Sequence, residues 1–198
     1  MAAIFPQWPG IASQKPVHIV VILGSARQGR ISERVATYVQ NVLKSTPSVT
    51  SEFVDVRNFD FPHDDYGISL KDRFPKYGDA VRRADAFLVV TPEYNHGYPG
   101  QLKSLLDVLY PEYKHKAVAV VGVSSGPWGG VRVVENLLPV FRELGLIVSQ
   151  MALNIARAEE TFSPQGVPVD SRYDERAKRM IEDLVWLATA LRWGRSNL

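Results

Sequence analysis

The chain has 198 residues, of which 45% are apolar and 22% charged, a composition typical of a globular protein with one domain. The net charge is only +2 and the basic residues are spread out, so nucleic-acid binding has no compositional support. The absence of cysteine excludes disulfides, thiolate catalysis and cysteine-ligated metals. No run approaches the roughly 18 apolar residues of a membrane span, so we expect no membrane association.

The first sixteen residues contain prolines and lack both a basic start and a long apolar core, so they do not resemble a signal peptide. We expect residues 1–16 to form an N-terminal tail and residues 17–198 to form a single domain. Phe5 and Trp8 either pack on the domain or on a neighbouring subunit, or belong to a disordered start.

The apolar run from Val17 to Leu23 predicts the first strand. Apolar residues at three- and four-residue spacing from Ile31 onward predict a helix that ends near Ser45. Between these elements, unpaired N–H groups and the dipole of the helix N-terminus favour a bound anion. The hydroxyl and guanidinium donors that would read a phosphate there are Ser25, Arg27, Arg30 and Ser32. The alternative is an ordinary turn with solvated arginines, in which Ser32 only caps the helix.

Two known phosphate signatures fail in this loop. Ala26 stands where the dinucleotide fingerprint G-x-G-x-x-G needs its second glycine. The spacing of Gly24 and Gly29 approaches a P-loop, but Arg30 replaces the lysine and Ile31 replaces the magnesium-binding hydroxyl. With both signatures rejected, the remaining prediction for this loop is a site for a single phosphate.

The next elements alternate along the chain. Glu52 to Val56 is a predicted strand, and Asn58 to Pro75 is predicted to be a long irregular connection because it is rich in Pro, Gly and Asp. Lys76 to Ala84 is a predicted short helix, followed by Ala86 to Val90, a continuous apolar run typical of a strand covered on both faces.

A second polar loop, Thr91 to Gly100, follows that strand and precedes a leucine-faced helix that Pro111 stops near Tyr110. Loops at the carboxyl ends of strands bind ligands in open α/β sheets. The aromatic surfaces, glycines and polar groups of this second loop would suit the binding of a planar heteroaromatic ring. The alternative is a turn-rich loop whose tyrosines simply pack.

A third loop, Ser124 to Gly130, follows the predicted strand Ala117 to Val123 and precedes a helix from Val131. Pro139 is predicted to kink or interrupt this helix and Gly145 to cap its end. Leu146 to Leu153 is the fifth strand candidate. A closing helix is predicted from Ser171 to Trp193.

Five strands alternating with helices predict an α/β fold, a parallel sheet with helices on both faces. The length suits a flavodoxin-like sheet of order 2-1-3-4-5, in which strands 1 and 3 meet at the switch point. The first two loops would then share one crevice. A phosphate at the first loop and a planar ring against the second is the layout expected for FMN.

From Val17 to Leu191 the chain resembles the NADPH-dependent FMN reductases of flavodoxin-like fold, which include quinone and azo-dye reductases. The resemblance rests on the three loops in order: Gly24-Ser25-x-Arg27-x-x-Arg30-x-Ser32, then Thr91 to Lys103, then Ser124 to Gly130. Trp128 departs from the family pattern, where the middle of the third loop is usually less bulky. It would narrow the substrate entrance or stack there.

The resemblance implies the site residues. Three residues would hold the FMN phosphate, namely Ser25, Arg27 and Ser32, with Arg30 nearby. The isoalloxazine would be lined, largely by backbone, by Pro92, Glu93, Tyr94 and Asn95. Its other side would be closed by Ser124, Ser125 and Gly126.

The resemblance also implies ping-pong hydride transfer from NADPH through FMN to a small-molecule acceptor, such as a quinone, free flavin, azo compound or metal ion. Because the cofactor carries the chemistry, we expect no indispensable catalytic side chain, although Tyr94 and His96 are conceivable proton donors. Family resemblance further implies a cytoplasmic homodimer, or a tetramer, paired through helices such as residues 100–110. Tyr110, Tyr113, Trp186 and Trp193 would extend the interface. The alternative is that the leucines of residues 100–110 face the protein's own sheet.

Two other functions stay open from the sequence. The chain could be a flavodoxin-like electron carrier or a flavin-dependent redox sensor, although such carriers are usually strongly acidic by family habit. It could also be a degenerate P-loop phosphotransferase, which would bind ATP and take up no flavin.

Overall fold

A computed structural model describes residues 15–61 and 69–198 of the chain. Its strands form one parallel sheet in the order β2-β1-β3-β4-β5, with β6 also pairing β4. The strands are β1 (Val17–Leu23), β2 (Val49–Asp55), β3 (Ala86–Pro92), β4 (Ala117–Val123), β5 (Ile147–Val148) and β6 (Leu153–Ile155). The predicted flavodoxin-like order is confirmed.

Helices connect the consecutive strands from β1 to β5, as crossovers between parallel strands require. The helices are α1 (Ser32–Lys44), α2 (Leu70–Arg73), α3 (Pro75–Arg83), α4 (Gly100–Asp107), α5 (Val131–Glu143), α6 (Ala158–Thr161) and α7 (Arg172–Asn197). Strand β6 follows β5 directly, and α6 and α7 follow β6. Short 3-10 turns cover Val56–Asn58 and Pro111–Tyr113. Most predicted boundaries lie within a few residues of these elements.

The sheet is buried on both faces, which explains the continuous apolar runs of its central strands. One face packs against α1 and α7, through residues such as Val39 and Leu184. The other face packs against α3, α4 and α5, through residues such as Val81, Leu102 and Phe141. The predicted layers of helices on both faces are confirmed.

The single fifth strand predicted over Leu146 to Leu153 is wrong. The segment forms two short strands, β5 and β6, which pair with successive parts of β4. Residues 149–152 separate them: the amide of Ser149 still continues the ladder by donating to the carbonyl of Val118 at 2.8 Å, while its hydroxyl donates to Asp183 of α7 at 2.5 Å. The chain leaves the ladder after Ser149 and pairs with β4 again from Leu153.

The predicted interruption of α5 at Pro139 does not occur, because the helix continues from Val131 to Glu143. Pro139 is exposed, whereas Leu137 and Phe141 are fully buried and hold the helix on the sheet to either side of it. Gly145 follows the helix at φ +72°, as expected of a residue that ends a helix.

Helix α4 ends at Asp107, before the predicted Tyr110. Leu102, Leu105 and Leu106 are at most 1% exposed and pack on the protein's own sheet. Tyr113, predicted to extend a subunit interface, is fully buried and its hydroxyl meets that of Tyr77 at 2.5 Å. Neither the leucines nor Tyr113 can therefore contact another subunit.

The irregular connection predicted from Asn58 to Pro75 is only partly irregular, because α2 and the start of α3 lie within it. Phe59 packs edge-on against Phe74 and Tyr77, at 5.1 and 5.6 Å between ring centroids, and thereby fixes the start of the connection. The middle of the connection and most of the predicted N-terminal tail lie outside the described residues.

Asp85 joins the amino end of the sheet to the last turns of α7. It is 7% exposed and accepts hydrogen bonds from the backbone amide of His18, from Arg192 at 3.1 Å and from Arg195 at 3.0 Å. This network lies at the opposite edge of the sheet from the three predicted loops. In the described part of the chain, no helix is long and apolar enough to span a membrane.

Candidate functional site

The first loop leaves the carboxyl end of β1 beside β3. The amide of Gly24 donates to the carbonyl of Val90 at 2.8 Å. A Cβ atom on Gly24 would lie 2.9 Å from the side chain of Leu102, so a side chain larger than hydrogen does not fit here. The loop backbone is thereby held close to the switch point between β1 and β3, where α/β sheets bind ligands.

The side chain of Arg30 forms an ion pair with Asp55. Its side chain is 2% exposed and grips both carboxylate oxygens of Asp55, at the end of β2, while it also donates to the carbonyl of Ser25. Burial alone would lower the pKa of Arg30, but the interactions with Asp55 and with Glu33 outweigh it and raise that pKa. The two terminal nitrogens of the guanidinium predicted to lie near the phosphate therefore shape the loop, whereas its Nε has no hydrogen-bond partner among the described residues and lies 3.5 Å from the carboxylate of Glu33.

The pKa of Asp55 reflects the same pairing. Burial alone would raise it, but hydrogen bonds from Arg30 and from the amide of Arg57, with the charges of both guanidinium groups, lower it below its ordinary value. Asp55 thus remains ionised and holds both arginines. Sequence reasoning missed this residue, although its place at the end of β2 puts it at the same sheet edge as the first loop.

Arg27 differs from Arg30 because it is exposed. Its backbone carbonyl is held by the guanidinium of Arg57 at 2.9 Å, and its own guanidinium lies 5.8 Å from the ring centroid of Tyr94. The side chain therefore stands at the mouth of the crevice between the first two loops.

Ser32 is the first residue of α1 and is 2% exposed. Its hydroxyl has no hydrogen-bond partner within residues 15–61 and 69–198. The residue before the helix is Ile31, and no side chain caps the N-terminus, so the alternative role of Ser32 as a cap does not hold. A buried hydroxyl without a partner costs about 1–3 kcal/mol, a cost that a bound acceptor would remove.

Ser25 connects the first loop to the second. Its side chain is completely buried, and its hydroxyl shares a hydrogen bond of 2.8 Å with the hydroxyl of Tyr94. The hydroxyl also accepts from the amide of Arg27 at 3.3 Å. A serine hydroxyl can both donate and accept, so the bond to Tyr94 leaves it able to serve a further ligand.

The second loop turns tightly at Asn95 and His96, which have φ values of +49° and +69°. Tyr94 and Gly97 exchange two backbone hydrogen bonds of 2.9 Å around this turn. Positive φ at both central residues is characteristic of a type I′ turn. The carbonyl of His96 accepts from the side chain of Asn136 in α5 at 2.7 Å, so the tip of the loop is anchored.

The third loop is braced from within. The hydroxyl of Ser124 donates to the carbonyl of Gly126 at 2.8 Å and accepts from the amide of Gly129 at 2.9 Å. Gly130 has φ +73°, and a Cβ atom there would lie 2.7 Å from the amide nitrogen of Val123. Ser125 is exposed and Gly126 is half-buried.

Glu93 links the second loop to the third. Its carboxylate accepts from both the amide and the guanidinium of Arg132, each at 3.2 Å. The guanidinium of Arg132 in turn lies 5.7 Å from the ring of Trp128. Sequence analysis missed Arg132 because nothing in its spacing shows that the first turn of α5 faces Glu93.

A crevice of about 610 Å³ opens between the first two loops. It is lined by Ala26, Arg27, Glu93, Tyr94, Asn95 and Gln101. Of the predicted residues, Arg27, Glu93, Tyr94 and Asn95 line this crevice, and Ser25 meets it through its hydrogen bond to Tyr94. The predicted residues of the third loop do not line it, although Glu93 reaches α5 behind that loop through Arg132. Within the described ranges, no group of three or more His, Asp or Glu side chains could hold a metal ion.

The fold and this crevice define a flavodoxin-like α/β protein with its site at the topological switch point. Residues 17–160 match the family model described as NADPH-dependent FMN reductase, and the chain belongs to this family of oxidoreductases.

Curated relatives agree with the family match. The chain is 32% identical over 149 residues to an NAD(P)H-dependent FMN reductase of Schizosaccharomyces pombe, covering 70% of this chain and 74% of the relative. It is 28% identical over 199 residues to a probable NADPH:quinone oxidoreductase of Oryza sativa, and the match covers 95% of this chain and 97% of the relative. The NAD(P)H:(acceptor) oxidoreductase FerB of Paracoccus denitrificans superposes with a TM-score of 0.73 at 20% identity, covering 87% and 98%, and shows the shared fold.

Proposed function

We propose that this protein binds FMN in the crevice and uses NADPH to reduce a small-molecule acceptor, most readily a quinone. The observation that carries the proposal is the meeting of the first two loops, where Ser25 and Tyr94 share a hydrogen bond beside the exposed Arg27. Polar donors suited to a phosphate thus lie next to an aromatic surface suited to a ring.

The residues present fit FMN. The unpartnered hydroxyl of Ser32 would donate to the phosphate, together with Ser25 and the guanidinium of Arg27. Arg30 and Asp55 would position these residues without touching the phosphate, because Arg30, paired with Asp55, donates to the carbonyl of Ser25 and so fixes the path of the loop. The N-terminus of α1 adds a favourable dipole for the anion.

Pro92, Glu93, Tyr94 and Asn95 would line the flavin ring. The type I′ turn holds the backbone of Tyr94 and Asn95, and the ion pair with Arg132 keeps the carboxylate of Glu93 from turning into the crevice. Ser124, Ser125 and Gly126 would close the other side of the ring from the braced third loop.

Bound FMN would supply the hydride chemistry. The balanced reaction is NADPH plus quinone plus one proton, giving NADP⁺ and hydroquinone. The protein's residues position the two substrates in turn, as a ping-pong scheme requires. The hydroxyl of Tyr94 is bonded to Ser25 and His96 is exposed at the turn, so we propose that solvent supplies the remaining proton.

We further propose a homodimer, or a tetramer built from it, and a cytoplasmic location where NADPH is available. Tyr110, Trp186 and Trp193 are 57%, 51% and 62% exposed and offer apolar surface for the subunit contact. Light scattering at micromolar concentration tests the assembly, and a monomeric mass would contradict it.

Turnover tests the proposed function directly. Under anaerobic conditions, FMN-loaded protein should oxidise more than one equivalent of NADPH per FMN only when an acceptor such as 1,4-naphthoquinone is present in excess. Parallel double-reciprocal plots at several fixed quinone concentrations would support the ping-pong scheme. Bound FMN that NADPH fails to reduce would instead favour the electron carrier or redox sensor.

A further inference from the structure

Trp128 is the most exposed aromatic side chain of the third loop, with 64% of its surface accessible. Full burial of a large apolar side chain is worth about 1.5–3 kcal/mol, so its exposure forgoes most of a stabilising contribution. Packing within the chain therefore does not account for the indole.

The backbone that carries Trp128 is fixed. Two hydrogen bonds of Ser124 brace the loop, the amide of Val131 donates to the carbonyl of Trp128 at 3.3 Å, and the amide of Arg157 donates to Gly126 at 3.0 Å. The indole is thus presented by an ordered loop.

The side chain of Trp128 also has defined neighbours. Arg132 lies 5.7 Å from the indole ring, a cation–π distance, and bonds through its guanidinium and amide to Glu93. Glu93 lines the crevice between the first two loops. Trp128 does not itself line the crevice, but these contacts tie the indole through Arg132 to Glu93, which does.

We propose that Trp128 determines acceptor specificity by stacking its indole on the planar, electron-poor ring of a quinone that enters the crevice. This inference rests on the proposed function and names the acceptor class for the same site. An electron-rich indole favours offset stacking on such a ring. A compact inorganic acceptor without a planar ring, such as ferricyanide, gains nothing from it.

Trp128→Ala and Trp128→Phe test the stacking, with Val169→Ala as a control because Val169 is an apolar side chain that is 76% exposed and belongs neither to the crevice nor to the proposed subunit contact. In the FMN-loaded protein with NADPH, Trp128→Ala should lower kcat/KM for 1,4-naphthoquinone by about 2- to 12-fold, the range of one aromatic pair. Trp128→Phe should keep most of it. Ferricyanide reduction should be unchanged in all three variants.

Equal losses with naphthoquinone and ferricyanide would overturn the proposal, because they would indicate a damaged loop. Unchanged kcat/KM for naphthoquinone in Trp128→Ala would overturn it as well. Titration calorimetry of the FMN-loaded protein with 1,4-naphthoquinone, in the absence of NADPH, is independent of turnover. Trp128→Ala should raise the dissociation constant by a similar factor, and an unchanged constant would refute stacking. A wild-type protein that binds the quinone but turns over neither acceptor would refute the proposed function alone.

Discussion

Replacing Arg27 should weaken FMN binding, whereas replacing Arg30 should lower the stability of the protein, although both arginines belong to the same loop. Arg27 is exposed at the mouth of the crevice, so Arg27→Ala should loosen FMN by about 1.5–3 kcal/mol, the range for a hydrogen bond to a charged group. That range corresponds to a dissociation constant about 10- to 150-fold higher. The free energy of unfolding without FMN should change by less than about 0.5 kcal/mol.

Arg30→Met should instead destabilise the protein itself. The Arg30 side chain is 2% exposed and that of Asp55 is 14% exposed, so the variant leaves a largely buried carboxylate without its partner. Breaking a buried pair in this way costs about 3–5 kcal/mol. The double variant Arg30→Met/Asp55→Leu should recover most of that loss, because apolar residues can replace both partners.

Two measurements separate these effects. Quenching of FMN fluorescence gives the dissociation constant, and urea unfolding followed by far-ultraviolet circular dichroism gives stability without FMN. An unchanged FMN affinity in Arg27→Ala would refute its assignment to the phosphate. A loss below about 1 kcal/mol in Arg30→Met would refute the structural importance of the ion pair with Asp55.

Three further predictions follow from other described contacts. Ser32→Ala should raise apoprotein stability in urea titrations by about 1–3 kcal/mol, because it removes a buried hydroxyl that has no partner among the described residues. It should also weaken FMN by about 1.5–3 kcal/mol, and equal FMN affinity would exclude a phosphate contact. Because Asp55 has a lowered pKa in the folded protein, its stabilising effect should be complete above about pH 4 and vanish as pH falls through that lowered value. The stability gap between wild type and Asp55→Asn should therefore shrink in acid, and a constant gap would contradict the pairing. Asp85→Asn should cost about 1–3 kcal/mol in urea unfolding without altering FMN affinity, because it loosens Arg192 and Arg195 at the opposite edge of the sheet; weakened FMN binding would contradict that separation.

The sequence predicts most of the fold because its signals are local and consistent. Apolar runs such as Ala117 to Val123 lie between polar loops, and alternation with helices dictates a parallel sheet. The prediction fails at Leu146 to Leu153, where buried Ser149 bonds to Asp183, a partner 34 residues away. The continuous helix through Pro139 likewise depends on packing against the sheet that no local pattern reveals.

For the candidate site too, some features could be predicted from the sequence and others could not. Its loops could be located from strand ends, and the family from the three loops in order, which the family match confirms. The different environments of Arg27 and Arg30 could not be predicted, since both look like solvated loop residues. Their roles depend on Asp55 and Arg57, which β2 brings to the same sheet edge. The individual FMN contacts stay predictions.

The most direct test is an anaerobic visible absorption spectrum of the purified protein, reconstituted with FMN and then mixed with NADPH. We expect a bound flavin spectrum that NADPH bleaches and that a quinone restores. Failure of the protein to bind FMN would contradict the site built from the three loops.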